Sequence, residues 1–194
     1  FYFLTGHKDA ANKLTLFGKI AHHSNGQDGN FYTDDGKVNL QSGNFATNYL
    51  ELGFLQSSYS QNLKAFKFIK SSVEIHPKSW MLEELHGQYS GLRWHNTFLA
   101  YKLPMKSNLI KSSEQKANFS VKAETTLMLD NINNWDTFNS KRINASLIVY
   151  YHPKFLEDIG FFVQFYQGMD YYNIYFQHQI SSIRFGIMTE TLRF

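Results

Sequence analysis

A histidine and a serine two residues apart, His22 and Ser24, are the residues of this chain best suited to covalent chemistry. Alternate side chains on a β-strand share one face and lie about 6–7 Å apart along the chain, so an imidazole there can reach a hydroxyl. A hydroxyl that a neighbouring imidazole can deprotonate is the nucleophile–base half of a serine hydrolase site. The pair therefore predicts Ser24 as a nucleophile and His22 as its general base.

Asn48 is the predicted third member of this site. Alternation along the first long strand puts His22 on its apolar face, and Asn48 shares the apolar face of the next strand. If a hairpin joins the two strands, the Asn48 amide oxygen can accept a hydrogen bond from the imidazole and fix its tautomer. Glu51 is a charged competitor, but its parity puts it on the opposite face. Asp34 and Asp35 in the connecting loop stay open as alternatives, because parity says nothing about loop residues.

Period-two alternation of apolar and polar residues dominates the chain, and helical periodicity is weak throughout. Globular strands usually have about five or six residues, whereas a tilted strand needs about nine to eleven to cross a bilayer. The predicted strands are of the longer kind, and mostly long polar connections alternate with shorter ones, as in outer-membrane barrels. We therefore expect an all-β fold, an antiparallel transmembrane β-barrel. Its eight predicted strands have roughly ten residues or more each and contain the alternating stretches 14–21, 44–57, 63–76 (with a bulge near 66–69), 92–100, 117–129, 143–151, 161–166 and 182–187.

Composition excludes several other classes of protein. The 194 residues contain no cysteine, so disulfide frameworks, thiolate zinc sites and cysteine nucleophiles are absent. The formal net charge is only +3 and the basic residues are scattered, so no nucleic-acid partner is expected. No run approaches the roughly 18 apolar residues of a membrane helix, which leaves a barrel as the way this chain could span a bilayer.

Alternation by itself does not say which face is outside, because a soluble barrel with its apolar face inward has the same pattern. The polar face carries charged residues in the middle of its strands, beside large glutamine and tyrosine side chains. A wide membrane barrel can hold such a face as an internal polar network, and Lys122 with Glu124 is predicted to be an internal ion pair. The charged residues in question are Lys19, Glu51, Arg93, Lys122, Glu124 and Arg184.

The segment 22–26, His-His-Ser-Asn-Gly, resembles the His-x-Ser-Asn-Gly motif of the outer-membrane phospholipase A family, whose members are twelve-stranded barrel lipases. The resemblance covers nearly the whole chain in the same order. It implies that residues 1–194 are a single β-barrel domain, the C-terminal two-thirds of a barrel whose first four strands are missing. The other similar segments are Val73-Glu74 with Pro77, 150–153, Gln-Phe-Tyr-Gln-Gly at 164–168, and the final strand to Phe194.

The same resemblance implies an activity, a cofactor and partners. It implies a calcium-dependent phospholipase of the cell outer membrane that hydrolyses acyl ester bonds of glycerophospholipids, at the A1 or A2 position, and is active as a homodimer. Ser24 would be the nucleophile, His22 the general base and Asn48 the residue that orients it. The candidates for calcium ligands are the backbone carbonyl of Gln27, the hydroxyls of Thr33 and Ser42, and the carboxylates of Asp28, Asp34 and Asp35.

Three alternatives remain at this point. A lipid A deacylase is also a barrel esterase with a His-x-Ser pair that faces the membrane, but its third member is a glutamate, and no carboxylate has the position and parity of Asn48. A non-enzymatic outer-membrane barrel would carry the His-Ser pair without using it. A soluble lipid-binding barrel would stay in solution without detergent.

Overall fold

The described residues form one antiparallel sheet of nine strands, in which each of these strands pairs only with its neighbours in the sequence. This computed structural model describes residues 2–9, 12–25, 29–42, 44–104, 117–136, 139–153, 159–170, 176 and 178–189. The sheet is open, and β1 and β9 are its edges. The strands are β1 Tyr2–Asp9, β2 Asn12–Asn25, β3 Phe45–Ser60, β4 Ala65–Ile75, β5 Leu92–Pro104, β6 Ala117–Met128, β7 Ile143–Pro153, β8 Ile159–Met169 and β9 Gln179–Thr189.

The prediction of an all-β antiparallel fold is confirmed, and all eight predicted strands are present. Residues 2–9 form a further strand, outside the eight that the alternation predicts. The predicted bulge at 66–69 is wrong, because β4 pairs without interruption on both sides. The irregularity lies instead on β5 between Ala100 and Leu103, where Lys102 has a φ of 52°. No helix in the described part of the chain is long and apolar enough to cross a bilayer.

The two faces of the sheet differ sharply in character. One face carries large apolar side chains that are mostly exposed, among them Ile20 at 68%, Leu52 at 65% and Phe185 at 84%. The other face is polar and concave, and it lines a cavity of about 430 Å³ that extends from Lys70 on β4 to Arg184 on β9. In the described residues the apolar face is therefore the exposed one, and the polar face lines the cavity.

Charged side chains on the concave face are paired with one another. Glu51 is 3% exposed and forms ion pairs with Lys19 and, at 3.2 Å, with Lys70. The hydroxyl of Ser72 donates to the same carboxylate at 2.7 Å. A buried carboxylate needs such partners, because the desolvation penalty of an unpaired charge is several kcal/mol. The predicted ion pair between Lys122 and Glu124 is also present, at 2.8 Å.

The long loops meet at one end of the sheet and pack into a small apolar core. Phe45 at the start of β3 packs with Leu85 and Tyr89 from the β4–β5 loop and with Phe176 from the β8–β9 loop. Arg93 lies 3.7 Å from the centre of the Tyr89 ring. Burial raises the pKa of Tyr89 to about 12, so this side chain stays a neutral phenol near pH 7. The core therefore covers the concave face at the end where His22 and Ser24 lie.

Gly53 marks a close approach between β3 and β4. A Cβ atom at this position would overlap the Ser71 carbonyl oxygen and Ser72 Cβ, and would lie 2.8 Å from Ser72 Cα. We expect Gly53→Ala to lower the free energy of unfolding by about 1–3 kcal/mol, the usual cost of overpacking. Urea unfolding in detergent micelles measures it. Gly18→Ala is the control, because its Cβ would meet only the end of the Leu52 side chain, at 3.2 Å. Equal losses in the two variants would contradict the prediction.

Candidate active site

The hairpin of β2 and β3 carries all three predicted catalytic residues. His22 lies directly opposite Asn48 in the antiparallel pairing, and Ser24 lies two residues further along β2. All three side chains are exposed, on the same face as the exposed Ile20 and Leu52. The structure therefore brings the three together on the outward apolar face, where the alternation predicts them. Their catalytic roles stay predictions.

The contact between His22 and Asn48 has a defined direction. His22 Nδ1 lies 2.8 Å from Asn48 Oδ1, and Asn48 Nδ2 donates to the backbone carbonyl of Trp80 at 3.5 Å. Because the amide oxygen can only accept, Nδ1 of the imidazole must carry the proton that it donates. A neutral imidazole with its proton on Nδ1 has a free lone pair on Nε2, which is the form that a general base requires.

Ser24 lies on the same face of β2 as His22. In the described structure their side chains do not form a hydrogen bond with each other. Their separation on the strand is that of any two alternate residues, about 6–7 Å, which side-chain rotation can bridge. Catalytic hydrogen bonds are often long in a site without substrate and shorten when substrate is bound. The arrangement can therefore pass a proton from the Ser24 hydroxyl to His22 Nε2 once a substrate sits against the hydroxyl.

Glu51, the charged competitor for the third position, is not available to His22. Its side chain points to the concave face, as its parity predicts, and is held there by Lys19, Lys70 and Ser72. An orienting residue must reach the outward face of β3, and Asn48 does so. This supports an amide, not a carboxylate, as the partner of the imidazole.

Sequence analysis missed a buried chain of polar groups directly behind Asn48. The Thr47 hydroxyl lies 2.8 Å from His76 Nδ1, and His76 Nε2 lies 2.7 Å from Glu74 Oε1. Thr47, His76 and Glu74 are 1%, 4% and 8% exposed. The available signal was parity, since Glu74 and His76 alternate with apolar residues and so belong on the inner face. Their contact with Thr47 on β3 arises from the pairing of β3 with β4, and the local sequence pattern does not predict that pairing.

The segment that follows His76 runs along the start of β3, on the side opposite β2. Met81 forms a bridge with Thr47, and the Leu82 amide donates to the Ala46 carbonyl at 3.2 Å. The Trp80 carbonyl is the group that accepts from the Asn48 amide. We call residues 76–82 the supporting segment, because it holds the beginning of β3 from the side that β2 leaves free.

Two of the carboxylate candidates for calcium, Asp34 and Asp35, lie in a turn of the β2–β3 loop. The Thr33 hydroxyl donates to Asp35, and Lys37 Nζ lies 3.1 Å from the same carboxylate. The hydrogen bond from Thr33 and the Lys37 ammonium hold the pKa of Asp35 below its usual range. Asp34 is exposed. The Asp35 charge is therefore already compensated by a neighbouring cation within the turn.

The other calcium candidates do not complete a site with these. Ser42 donates to the carbonyls of Asn30 and Asn39, both at 3.0 Å, and Gln27 and Asp28 lie outside the described residues. Within the described ranges, no group of three or more His, Asp or Glu side chains could hold a metal ion. The described candidates thus do not fit a calcium site as they stand, and calcium binding remains a prediction from the resemblance.

Comparison with protein-family models, with curated proteins and with solved structures finds no match to this chain. The resemblance to outer-membrane phospholipase A therefore stays a prediction. What supports a function is the geometry of the β2–β3 hairpin and the exposed apolar face that surrounds it.

Proposed function

We propose that this chain is part of an outer-membrane phospholipase that hydrolyses acyl ester bonds of glycerophospholipids with Ser24, His22 and Asn48. One observation carries the proposal: His22 and Asn48 form a 2.8 Å hydrogen bond on an exposed apolar face, on the same strand face as Ser24. Polar groups on a surface that faces lipid are costly unless they are paired or functional. A tautomer-fixed imidazole beside a hydroxyl is a functional arrangement.

The proposed reaction follows from the protonation state of His22. The Ser24 hydroxyl oxygen attacks the ester carbonyl carbon while His22 Nε2 takes the hydroxyl proton. The tetrahedral species then collapses, the bond to the glycerol oxygen breaks, and His22 returns the proton to that oxygen. A water molecule, deprotonated by the same nitrogen, attacks the acyl-serine carbonyl carbon. The bond to the Ser24 oxygen then breaks, His22 returns the proton to that oxygen, and the fatty acid is released. Asn48 holds the imidazole in one orientation throughout and stabilises its protonated form.

The place of the site suits a substrate that stays in a membrane. The described strands from β2 onward present apolar side chains outward, the pattern of a lipid-facing barrel surface. Ser24 is the last residue but one of β2, at the long-loop end of the sheet. An ester at the boundary between acyl chains and headgroups could therefore meet Ser24 without leaving the bilayer. The two open edges of the sheet are compatible with part of a larger barrel.

Calcium and homodimer formation belong to the proposal as expectations from the resemblance. No step of the reaction above is assigned to calcium, because the described candidate ligands do not converge on one site. A calcium requirement would place the ligands at residues outside the described ranges or on a partner subunit. An active monomer in detergent, at full calcium, would rule out the expected dependence on dimer formation.

Fatty-acid release from a two-chain phospholipid in mixed micelles tests the proposal, with the complete reading frame as the enzyme. We expect the wild type to release fatty acid in calcium, and Ser24→Ala to lower kcat by roughly 10⁴-fold or more. Ser71→Ala is the matched control, because Ser71 also faces outward but is hydrogen-bonded to Asn96 and Trp94 and has no histidine two residues away on its strand. Its kcat should stay within about twofold of the wild type, the range of surface substitutions away from a site.

The other outcomes separate the alternatives. Release that needs Ser24 but survives a calcium chelator would contradict the calcium requirement and favour a lipid A deacylase, to be tested on lipid A itself. No release from any phospholipid or from lipid A, by a protein shown to be folded, would contradict the enzymatic proposal. It would leave a non-enzymatic barrel.

A further inference from the structure

We propose that Thr47, His76 and Glu74 form a positioning chain that holds Asn48 in the orientation in which its amide oxygen meets His22. This inference rests on the proposed function, since it concerns the residue that orients the general base. None of the three side chains touches His22 or Ser24 on the outward face. They act from the inner side of β3, through the residue next to Asn48 and through the supporting segment.

The contacts of the chain run from a buried carboxylate to the backbone of the site. Glu74 accepts from His76 Nε2 at 2.7 Å, and His76 Nδ1 lies 2.8 Å from the Thr47 hydroxyl. The Thr47 hydroxyl also lies 3.3 Å from the Asn48 carbonyl oxygen. Thr47 is therefore fixed at its side chain by His76 and at its backbone by Met81. Because Thr47 is held in this way, the backbone of Asn48, the next residue on β3, has little freedom to move.

His76 also helps to hold the segment whose Trp80 carbonyl accepts a hydrogen bond from Asn48. It is the first residue of the supporting segment, and its own amide donates to the Gly91 carbonyl at 2.8 Å. Four residues later the Trp80 carbonyl accepts from Asn48 Nδ2. If the segment moves away from β3, the amide loses the bond that distinguishes its nitrogen from its oxygen. Asn48 can then turn its nitrogen towards His22, which favours the tautomer with the proton on Nε2.

A hydroxyl, an imidazole and a carboxylate in sequence also make up a hydrolytic triad, but this set cannot be a second active site. Thr47 is 1% exposed and His76 is 4% exposed, so no ester can reach the hydroxyl. Tyr49 and Tyr89 pack against the His76 ring, with centroids 5.0 and 5.4 Å away. The set therefore positions other residues.

The sheet offers an internal control for a purely structural role. His95 lies 3.4 Å from the other oxygen of Glu74, and its Nδ1 lies 2.8 Å from the Thr126 hydroxyl. This second threonine–histidine pair shares the carboxylate and the bond length of the first, but it connects β5 to β6 and does not touch β3. Thr47→Val and Thr126→Val therefore remove the same kind of bond at two places, and only the first lies beside Asn48.

The test compares these two variants in the full-length protein, alone and combined with Asn48→Ala. We expect Thr47→Val to lower kcat for the phospholipid about 10-fold, the scale of a misplaced catalytic group, with KM changed by less than about twofold. Thr126→Val should leave kcat within about twofold. In the Asn48→Ala background, Thr47→Val should cost no more than about twofold further, because the residue that it positions is gone.

A spectroscopic measurement tests the chain without relying on hydrolysis. The ¹⁵N shifts of His22 in micelles should show the proton on Nδ1 in the wild type and in Thr126→Val, and a mixture of the two tautomers in Thr47→Val. Thermal unfolding of each variant shows that it is folded, and Thr47→Ser, which keeps the hydroxyl, should restore both kcat and the tautomer.

Three results would overturn the positioning chain: an equal loss from Thr47→Val in both backgrounds, an equal loss from Thr126→Val, or an unchanged His22 tautomer in Thr47→Val. Absence of Ser24-dependent hydrolysis in the wild type is a different result. It contradicts the proposed function, while the tautomer measurement still decides whether the chain orients Asn48.

Discussion

Replacing His22 with alanine is expected to lower kcat for phospholipid hydrolysis by about 10⁴-fold or more, whereas His23→Ala leaves it within about threefold. The two residues are neighbours, but they lie on opposite faces of β2. His22 is exposed and bonded to Asn48, while His23 points inward and packs edge-on against Phe45, with ring centroids 5.1 Å apart. Only the outward imidazole can take a proton from Ser24.

Initial rates on mixed micelles measure this difference, and the unfolding temperature of each variant shows whether the protein is folded. His23→Ala removes a ring from the apolar core at the loop end, so it should lower the unfolding temperature more than His22→Ala does. If His23→Ala lost as much kcat as His22→Ala at temperatures where both are folded, the assignment of the general base would be wrong.

The second large effect concerns the outward face of β9. Phe185 is 84% exposed on this face, while its neighbour Arg184 points to the concave side, where it lines the cavity. We expect Phe185→Lys to lower the free energy of unfolding from lipid bilayers by about 2–4 kcal/mol, because a cation near the middle of the lipid-facing surface is desolvated. The chain carries a cation at position 184 on the concave side, and a lipid-facing outer surface predicts that a cation at position 185 is destabilising.

Equilibrium unfolding in urea from bilayers of short-chain lipids measures this effect. Phe185→Ala is the control, because it removes the aromatic ring without adding charge, and its loss should be clearly smaller than that of Phe185→Lys. If Phe185→Lys has the same free energy of unfolding as Phe185→Ala, the added charge has no cost and this face does not contact acyl chains. That result would contradict the membrane assignment independently of any enzymatic assay.

The face on which each strand side chain lies was predictable, because successive side chains of a strand point to opposite faces of the sheet. Side chains alternate strictly, so one correctly placed apolar residue fixes the face of every other residue on that strand. This is why the outward position of His22, Ser24 and Asn48 and the inward position of Glu51 could be derived from the sequence. The contact between His22 and Asn48 followed once a hairpin joined the two strands.

What the sequence did not predict depends on contacts between segments that are distant along the chain. The bond between Thr47 and His76 requires the pairing of β3 with β4 and the path of the segment beyond it. Nothing in the local pattern near Lys102 distinguishes the irregularity of β5 from the one expected at 66–69. The calcium candidates were chosen by residue type in a loop, where neither parity nor pairing restricts the direction of a side chain.

The order of the strands has a consequence for how the site comes into being. Since every described strand pairs with its neighbour in the sequence, the sheet can grow one hairpin at a time, and each step closes only the loop between two consecutive strands. The triad needs β2 and β3, and its support needs β4 and the segment up to Leu82. Strands β2 to β4 and the segment up to Leu82 thus contain the candidate site and its support, so both can be assembled before β5 to β9 join the sheet.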